Sequence, residues 1–218
     1  MHGWQGKILR VDLTSEAIDT EPTINYATDF LGGSGIGAKI LYNEVPPDVK
    51  PFDAKSRVII ATGPLNGVVP SSGRGEVVFK SPVTGWYADS NFGGFFTVEL
   101  KLAGFDAVVI QGTSKKPVYL WICDDHAELK DASHLWGKDT IETEEIIRKD
   151  HDDPMIRTLK IGPAGENLVY GACLIGDEGR AAGRLGGGAV VGSKKLKAIA
   201  VRGTKEISVA NPEELEKM

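Results

Sequence analysis

The chain has 218 residues, 41% of them hydrophobic and 25% charged, with a formal net charge of −5 at pH 7; this is the make-up of a globular protein long enough to bury a core without staples. No apolar run reaches the roughly 20 residues of a membrane span, the acidic balance disfavours nucleic acid, and residues 1–13 lack the regions of a signal peptide. The expectation is a cytoplasmic protein that binds neither membrane nor nucleic acid.

Residues 6–12 alternate apolar and polar side chains, the period of a half-buried strand, and residues 14–16 turn the chain into a partner strand at 17–20. Gly33-Ser34-Gly35-Ile36-Gly37-Ala38 fits the dinucleotide pattern GxGxxA. The polar residues before it make a poor buried strand, so a tight, closely packed turn before a short helix at 37–42 is the better reading. No P-loop pattern occurs. Residues 57–62 are a continuous apolar run, typical of a strand covered on both faces. The turn Gly63-Pro64-Leu65-Asn66-Gly67 follows, then the loop Ser71-Ser72-Gly73-Arg74-Gly75 and a strand at 76–80. An arginine in a loop is often only a solvated charge; here the flanking glycines clear space around a guanidinium suited to phosphate.

Asp89-Ser90-Asn91-Phe92-Gly93-Gly94 reads as a loop before a helix at 95–103. Backbone N–H groups at such a helix start favour anions; an ordinary capping loop, with Ser90 or Asn91 as the cap, is the competing reading. Further strands are expected at 107–111, 118–123, 127–130, 158–161, 171–175 and 198–202, with an amphipathic helix at 140–149 and a short one at 189–194. Arg180-Ala181-Ala182-Gly183-Arg184-Leu185-Gly186-Gly187-Gly188 sets two arginines four apart ahead of a glycine run. It reads as a flexible cationic cradle; the alternative is a disordered glycine linker, which the apolar segments on both sides oppose. From Arg180 to Lys205 there are seven basic residues and no acidic one, a charge pattern that suits a small anion. The sum is a mixed α/β (α+β) fold with more sheet than helix and no regular βαβ alternation.

Cys123 and Cys173 lie far apart, so neither a zinc site nor a cysteine-held cluster can be built from them alone; they are expected to be small buried apolar side chains. The four histidines have no metal-ligand spacing. Asp89, Glu99 and His134 are available as proton carriers, with no evident partner. Asn211, Pro212 and the glutamates after them start a helix that stops within two turns. This predicts one domain over residues 1–210 and the start of another at 211–218.

The segments GWQGKILRVDL, FLGGSGIGAKI, ATGPLNG, SSGR, KSPVTGW, SNFGGFF, ELKLAGFDAVVI, KPVYLWI, DASHLWGKDT, IGPAGENLV, RAAGR and GSKKLKAIAVRG follow one another in a set order. That series, over residues 3 to about 205, resembles the aldehyde:ferredoxin oxidoreductases. The resemblance implies the first of three domains: a base of two largely antiparallel β-sheets under a tungsten (or molybdenum) ion held by the dithiolene sulfurs of two pterins. A magnesium ion joins the pterin phosphates. Later domains hold a [4Fe–4S] cluster and complete the substrate pocket. The implied reaction of the full-length protein, a homo-oligomer, turns a small aldehyde and water into a carboxylic acid, with ferredoxin as electron acceptor.

Carried over by position, the resemblance makes Arg74 the arginine between cofactor and cluster. Asn91 and Ala181 give backbone carbonyls to magnesium. Gly93, Arg180, Gly183 and Arg184 contact the cofactor. Gly75 and the run Leu185-Gly186-Gly187-Gly188 depart from the family pattern. Three rivals stand beside this reading: a superfamily member acting on another substrate, such as an aromatic acyl thioester; a non-catalytic pterin- or phosphate-binding module; and a dinucleotide-binding domain.

Overall fold

A computed structural model describes residues 1–217; Met218, the last residue of the expected C-terminal segment, lies outside them. The alternating and continuous apolar runs become strands, and glycine or polar clusters become the turns. The first half of the chain runs β1 (Lys7–Asp12), β2 (Ala17–Pro22), α1 (Ile24–Ala27), α2 (Gly33–Glu44), β3 (Val58–Ala61), β4 (Gly75–Lys80), β5 (Tyr87–Phe92), α3 (Phe96–Leu102) and β6 (Ala107–Gln111). The second half runs β7 (Val118–Cys123), β8 (His126–Asp131), α4 (Thr140–Asp150), β9 (Arg157–Lys160), α5 (Pro163–Glu166), β10 (Leu174–Gly176), β11 (Arg180–Ala182), α6 (Gly187–Ser193) and β12 (Leu196–Arg202). A short α7 (Pro212–Leu215) follows.

The twelve strands form two six-stranded sheets, ordered β2-β1-β6-β3-β4-β5 and β11-β10-β9-β12-β7-β8. In each, one pair is parallel, β1 with β6 and β7 with β12, and every other pair is antiparallel. Read in opposite directions, the two orders are the same topology. The registers also match: Ile8 pairs with Ala107 and Ala107 with Ala61, as Tyr119 pairs with Ala198 and Ala198 with Lys160. The expected two-sheet, largely antiparallel α+β fold is therefore present, and it is an internal repeat.

Inward-facing side chains of both sheets meet in one cluster that includes Leu9, Ile60, Phe79, Ile122, Leu159 and Ile199. The helices cross over: α3 lies against β9 and β12 of the second sheet, and α6 against β3 and β4 of the first. Phe96 and Leu100 of α3 and Val190 and Val191 of α6 fill that cluster. On the outer face of the first sheet, Ile36, Ile40 and Leu41 of α2 cover Ile59 and Val78. On the outer face of the second, Ile147 of α4 covers Trp121 and Ala200. Within residues 33–38 packing demands glycine at Gly37, a variable position of GxGxxA, since a Cβ there would stand 2.6 Å from a Val78 methyl.

Several local expectations are corrected. Residues 87–92 are an edge strand, not a capping loop: Ala88, Ser90 and Phe92 are buried while Tyr87 and Asn91 face out. Neither Ser90 nor Asn91 caps α3, which begins after Phe95. The helix expected at 37–42 starts at Gly33, and the strand expected at 171–175 starts at Leu174. Cys123 and Cys173 are half-buried, not buried. Glu99 and His134 do have partners: Arg202 Nη1 donates to Glu99 at 2.9 Å, and His134 Nε2 lies 3.1 Å from Asp150.

Candidate anion-binding groove

Edge strands β5 and β11 approach one another where the sheets meet. In register terms they are the same strand of the repeat: Gly75 pairs with Phe92 in the first half as Leu174 pairs with Ala182 in the second. Asn91 therefore matches Ala181, and Gly93 matches Gly183. Between them lies a groove of about 540 Å³ lined by Arg74, Ser90, Asn91, Phe92, Gly93, Gly179, Arg180, Ala181, Gly183 and Arg184. All seven residues singled out in the sequence stand in this one groove. Its lining carries three arginines and no carboxylate.

Each wall is held by residues to which sequence reading gave no role at the groove. Asn66 shapes the loop that bears Arg74: its Oδ1 accepts the Gly63 N–H at 2.7 Å, and its Nδ2 donates to Ser72 O and Arg74 O, both at 2.7 Å. Thr97 Oγ1 donates to Gly73 O at 3.1 Å. Arg74 is exposed, and its Nη1 donates to Asn91 Oδ1 at 2.7 Å. Ser90 joins the two walls, its Oγ accepting the Arg184 N–H at 2.9 Å. An Asn beside a turn that satisfies main-chain groups was the legible signal for Asn66; Ser90 was read only as a helix-cap candidate, and its bond to Arg184 joins residues too far apart in sequence for a local signal.

The two departures from the family pattern have structural causes. Gly75 is buried at the start of β4, where a Cβ would stand 2.2 Å from the Thr97 methyl. The glycine run is packed rather than loose. A Cβ on Gly186 would stand 2.0 Å from Tyr170 O, and one on Gly188 would stand 2.4 Å from Cys173 O. With β11 occupying Arg180–Ala182 and α6 beginning at Gly187, the expected flexible cradle is a strand, a short turn and a helix.

Beside Arg74, the Glu76 carboxyl is held above its ordinary value by burial and by Asp89, opposed by Arg74. Its Oε2 is buried with no hydrogen-bond partner. Tyr87 on the neighbouring strand is pushed up to about 12 by burial, Asp89 and Glu76. Both shifts favour the neutral, protonated group, so neither side chain offsets the positive charge of Arg74. At Gly93 and Gly179 a Cβ would meet nothing within 4 Å, so the walls are open to a bulky anion. Three guanidinium groups and open glycine backbone fit the phosphates of a pterin cofactor. An iron–sulfur cluster is not matched in the same way: among the described residues no group of three or more His, Cys, Asp or Glu side chains is placed to hold a metal.

Comparison with known proteins gives the family. Residues 8–203 match the model of the family described as "Aldehyde ferredoxin oxidoreductase, N-terminal domain", and the chain belongs to that family. It is 47% identical over 213 residues to the tungsten-containing aldehyde ferredoxin oxidoreductase of Pyrococcus furiosus, covering 97% of this chain and 35% of that protein. It is 35% identical over 220 residues to the WOR-like subunit of an aliphatic sulfonate oxidoreductase of the same organism, covering 94% of this chain and 35% of the relative. In solved structures it resembles the active-site complex BamBC of benzoyl coenzyme A reductase in complex with 1,5-dienoyl-CoA. That match has a TM-score of 0.95 and 44% identity, over 98% of this chain and 33% of that one. The chain thus spans about a third of the length of the curated relatives it matches.

Proposed function

We propose that the groove between β5 and β11 seats the phosphates of two pterins that together hold a tungsten ion. The observation that carries this reading is the twofold match of the walls: two register-equivalent strand ends, Asn91-Phe92-Gly93 and Ala181-Ala182-Gly183, face one cationic groove. A ligand with two copies of the same anionic group suits such a site. Arg74, Arg180 and Arg184 would neutralise phosphate oxygens, and the equivalent Asn91 and Ala181 carbonyls would hold a magnesium ion that accompanies them. Gly93 and Gly183 let the ligand approach the backbone. The bound group supplies two-electron redox chemistry at its metal; this chain orients it and balances its charge.

On this reading residues 1–210 form the cofactor base, and residues 211–218 lead into a further domain. The whole protein, a cytoplasmic homo-oligomer, oxidises a small aldehyde to the carboxylic acid. A [4Fe–4S] cluster held by other domains would supply the electron path to ferredoxin. The tungsten and aldehyde in the names of the more similar relatives support this choice. The likeness to a benzoyl coenzyme A reductase complex favours a second reading, an aromatic acyl thioester as substrate of the same cofactor. Steady-state assays of the whole protein with aldehydes and with aromatic acyl thioesters separate the two.

Magnesium pyrophosphate is a minimal probe of the groove. A titration followed by amide NMR is expected to shift Gly93, Ala181, Gly183 and Arg184 first. Shifts confined to other surfaces, with these amides unmoved, contradict the assignment.

A further inference from the structure

The two walls of the groove belong to different sheets, so their spacing depends on what crosses between them. Asp177 crosses. It opens the β10–β11 turn and is only 6% exposed. Its backbone belongs to the second sheet: its N–H donates to Thr158 O at 2.9 Å, and its carbonyl accepts from the buried Lys160 Nζ. Its side chain leaves that sheet. Oδ2 accepts the Phe95 N–H at 2.6 Å, just beyond Gly93 and at the start of α3. The fit is close, because Gly94 has φ +101° and a Cβ there would stand 2.5 Å from Oδ2. The same turn runs directly into Arg180 and Ala181 on the opposite wall.

Two features set this carboxylate apart from an ordinary helix cap. Its Oδ1 is buried with no hydrogen-bond partner, an arrangement that costs stability. It also breaks the repeat. The register-matched position in the first half is Val78, inside β4, because β4 continues to Lys80 where β10 stops at Gly176. The first half has no counterpart of the tie.

We infer that Asp177 is a positioning residue: it fastens the loop of Gly93 to the hairpin of Arg180 and so sets the separation of the two walls. Its consequence for a ligand rests on the groove reading above; the tie itself does not.

Hydrogen exchange on the intact protein tests the tie, and calorimetry with magnesium pyrophosphate tests its consequence. In Asp177→Ala, exchange at amides of both 91–95 and 180–184 rises about tenfold or more, and pyrophosphate affinity falls about tenfold. Asp177→Asn keeps an acceptor for the Phe95 N–H and returns both readouts to within about threefold of wild type. Asp139→Ala removes the cap of α4 and leaves affinity unchanged, so general destabilisation does not reproduce the effect. Should Asp177→Ala fail to fold, Gly94→Ala, whose methyl displaces Oδ2, carries the same expectation. Faster exchange confined to Phe95 and α3, with 180–184 unaltered, overturns the inference; so does unchanged affinity alongside raised exchange on both walls. Both results leave the groove reading standing. A wild-type protein that does not bind magnesium pyrophosphate overturns the groove reading, while the exchange comparison still decides the role of Asp177.

Discussion

Arg74 and Asn91 lie on different segments of the first half, yet Arg74 Nη1 donates to Asn91 Oδ1 at 2.7 Å. The contact holds the guanidinium against the rim of the groove. Among the described residues the other Arg74 nitrogens have no hydrogen-bond partner, and the contact aims a positive group at the end of β5. Asn66 fixes the backbone from which Arg74 reaches, through the Arg74 carbonyl.

Arg74→Ala is expected to weaken pyrophosphate binding by about 1.5–3 kcal/mol, the scale of a charge-assisted hydrogen bond to phosphate. The fold should be kept, because the side chain is exposed and its one contact is at the surface. Calorimetry and circular dichroism check the two halves of this statement. Wild-type affinity in the variant excludes Arg74 from the site.

The strands with continuous or alternating apolar patterns were legible in the sequence, and so was the pairing of arginine with glycine in the segments around Arg74 and Arg180–Arg184, which is a local signal. The repeat was not legible. Its equivalent positions carry unlike residues, such as Ile8 and Tyr119 or Ala61 and Lys160, since backbone register rather than side-chain identity is what repeats. β5 was hidden because Tyr-Ala-Asp-Ser-Asn-Phe is polar on its outward positions, as an edge strand is. The glycine run was misread as mobile because glycine signals either freedom or close packing, and only the neighbours at Gly186 and Gly188 decide which.

Gly188→Ala tests the packed reading. Its methyl would meet the backbone of Cys173 and Ala172, atoms that cannot swing away. Overpacking of this kind costs about 1–3 kcal/mol, and each kcal/mol lowers Tm by roughly 2–4 °C in a domain of this size. A thermal melt identical to wild type means that the run is loose after all.

Asp139→Ala is expected to cost about 1 kcal/mol. Asp139 Oδ1 accepts the Ile141 and Glu142 N–H groups at 2.8 Å, and Glu142 Oε2 accepts the Asp139 N–H at 3.4 Å, a capping box at the start of α4. Denaturant unfolding reads the loss. An unchanged midpoint contradicts the assignment of the box.

Lys194 supplies a pH test. It is fully buried, and among the described residues its Nζ donates only to the Ser56 and Gly112 carbonyls, at 2.8 and 3.2 Å. Burial, helped by nearby Arg57, pushes it down to about 8 from the ordinary 10.5. Between those values the unfolded chain holds a proton that the folded chain has released, so this group's contribution to stability rises with pH across the window. Lys194→Met removes the titration and with it the rise. Unfolding free energies of both proteins from pH 7 to 10 are the measurement: the wild-type advantage should grow toward alkaline pH. A constant difference contradicts the depressed value.

The central claim is that the two equivalent strand ends and their arginines seat a tungsten-pterin group. The most direct measurement is tungsten and pterin content in anaerobically purified whole protein, wild type against Arg180→Ala/Arg184→Ala. Both side chains are exposed at the groove, so the double variant should fold. The account predicts tungsten and pterin in the wild type and loss of most of both in the variant, with unchanged circular dichroism. Full tungsten and pterin content in the folded double variant contradicts it.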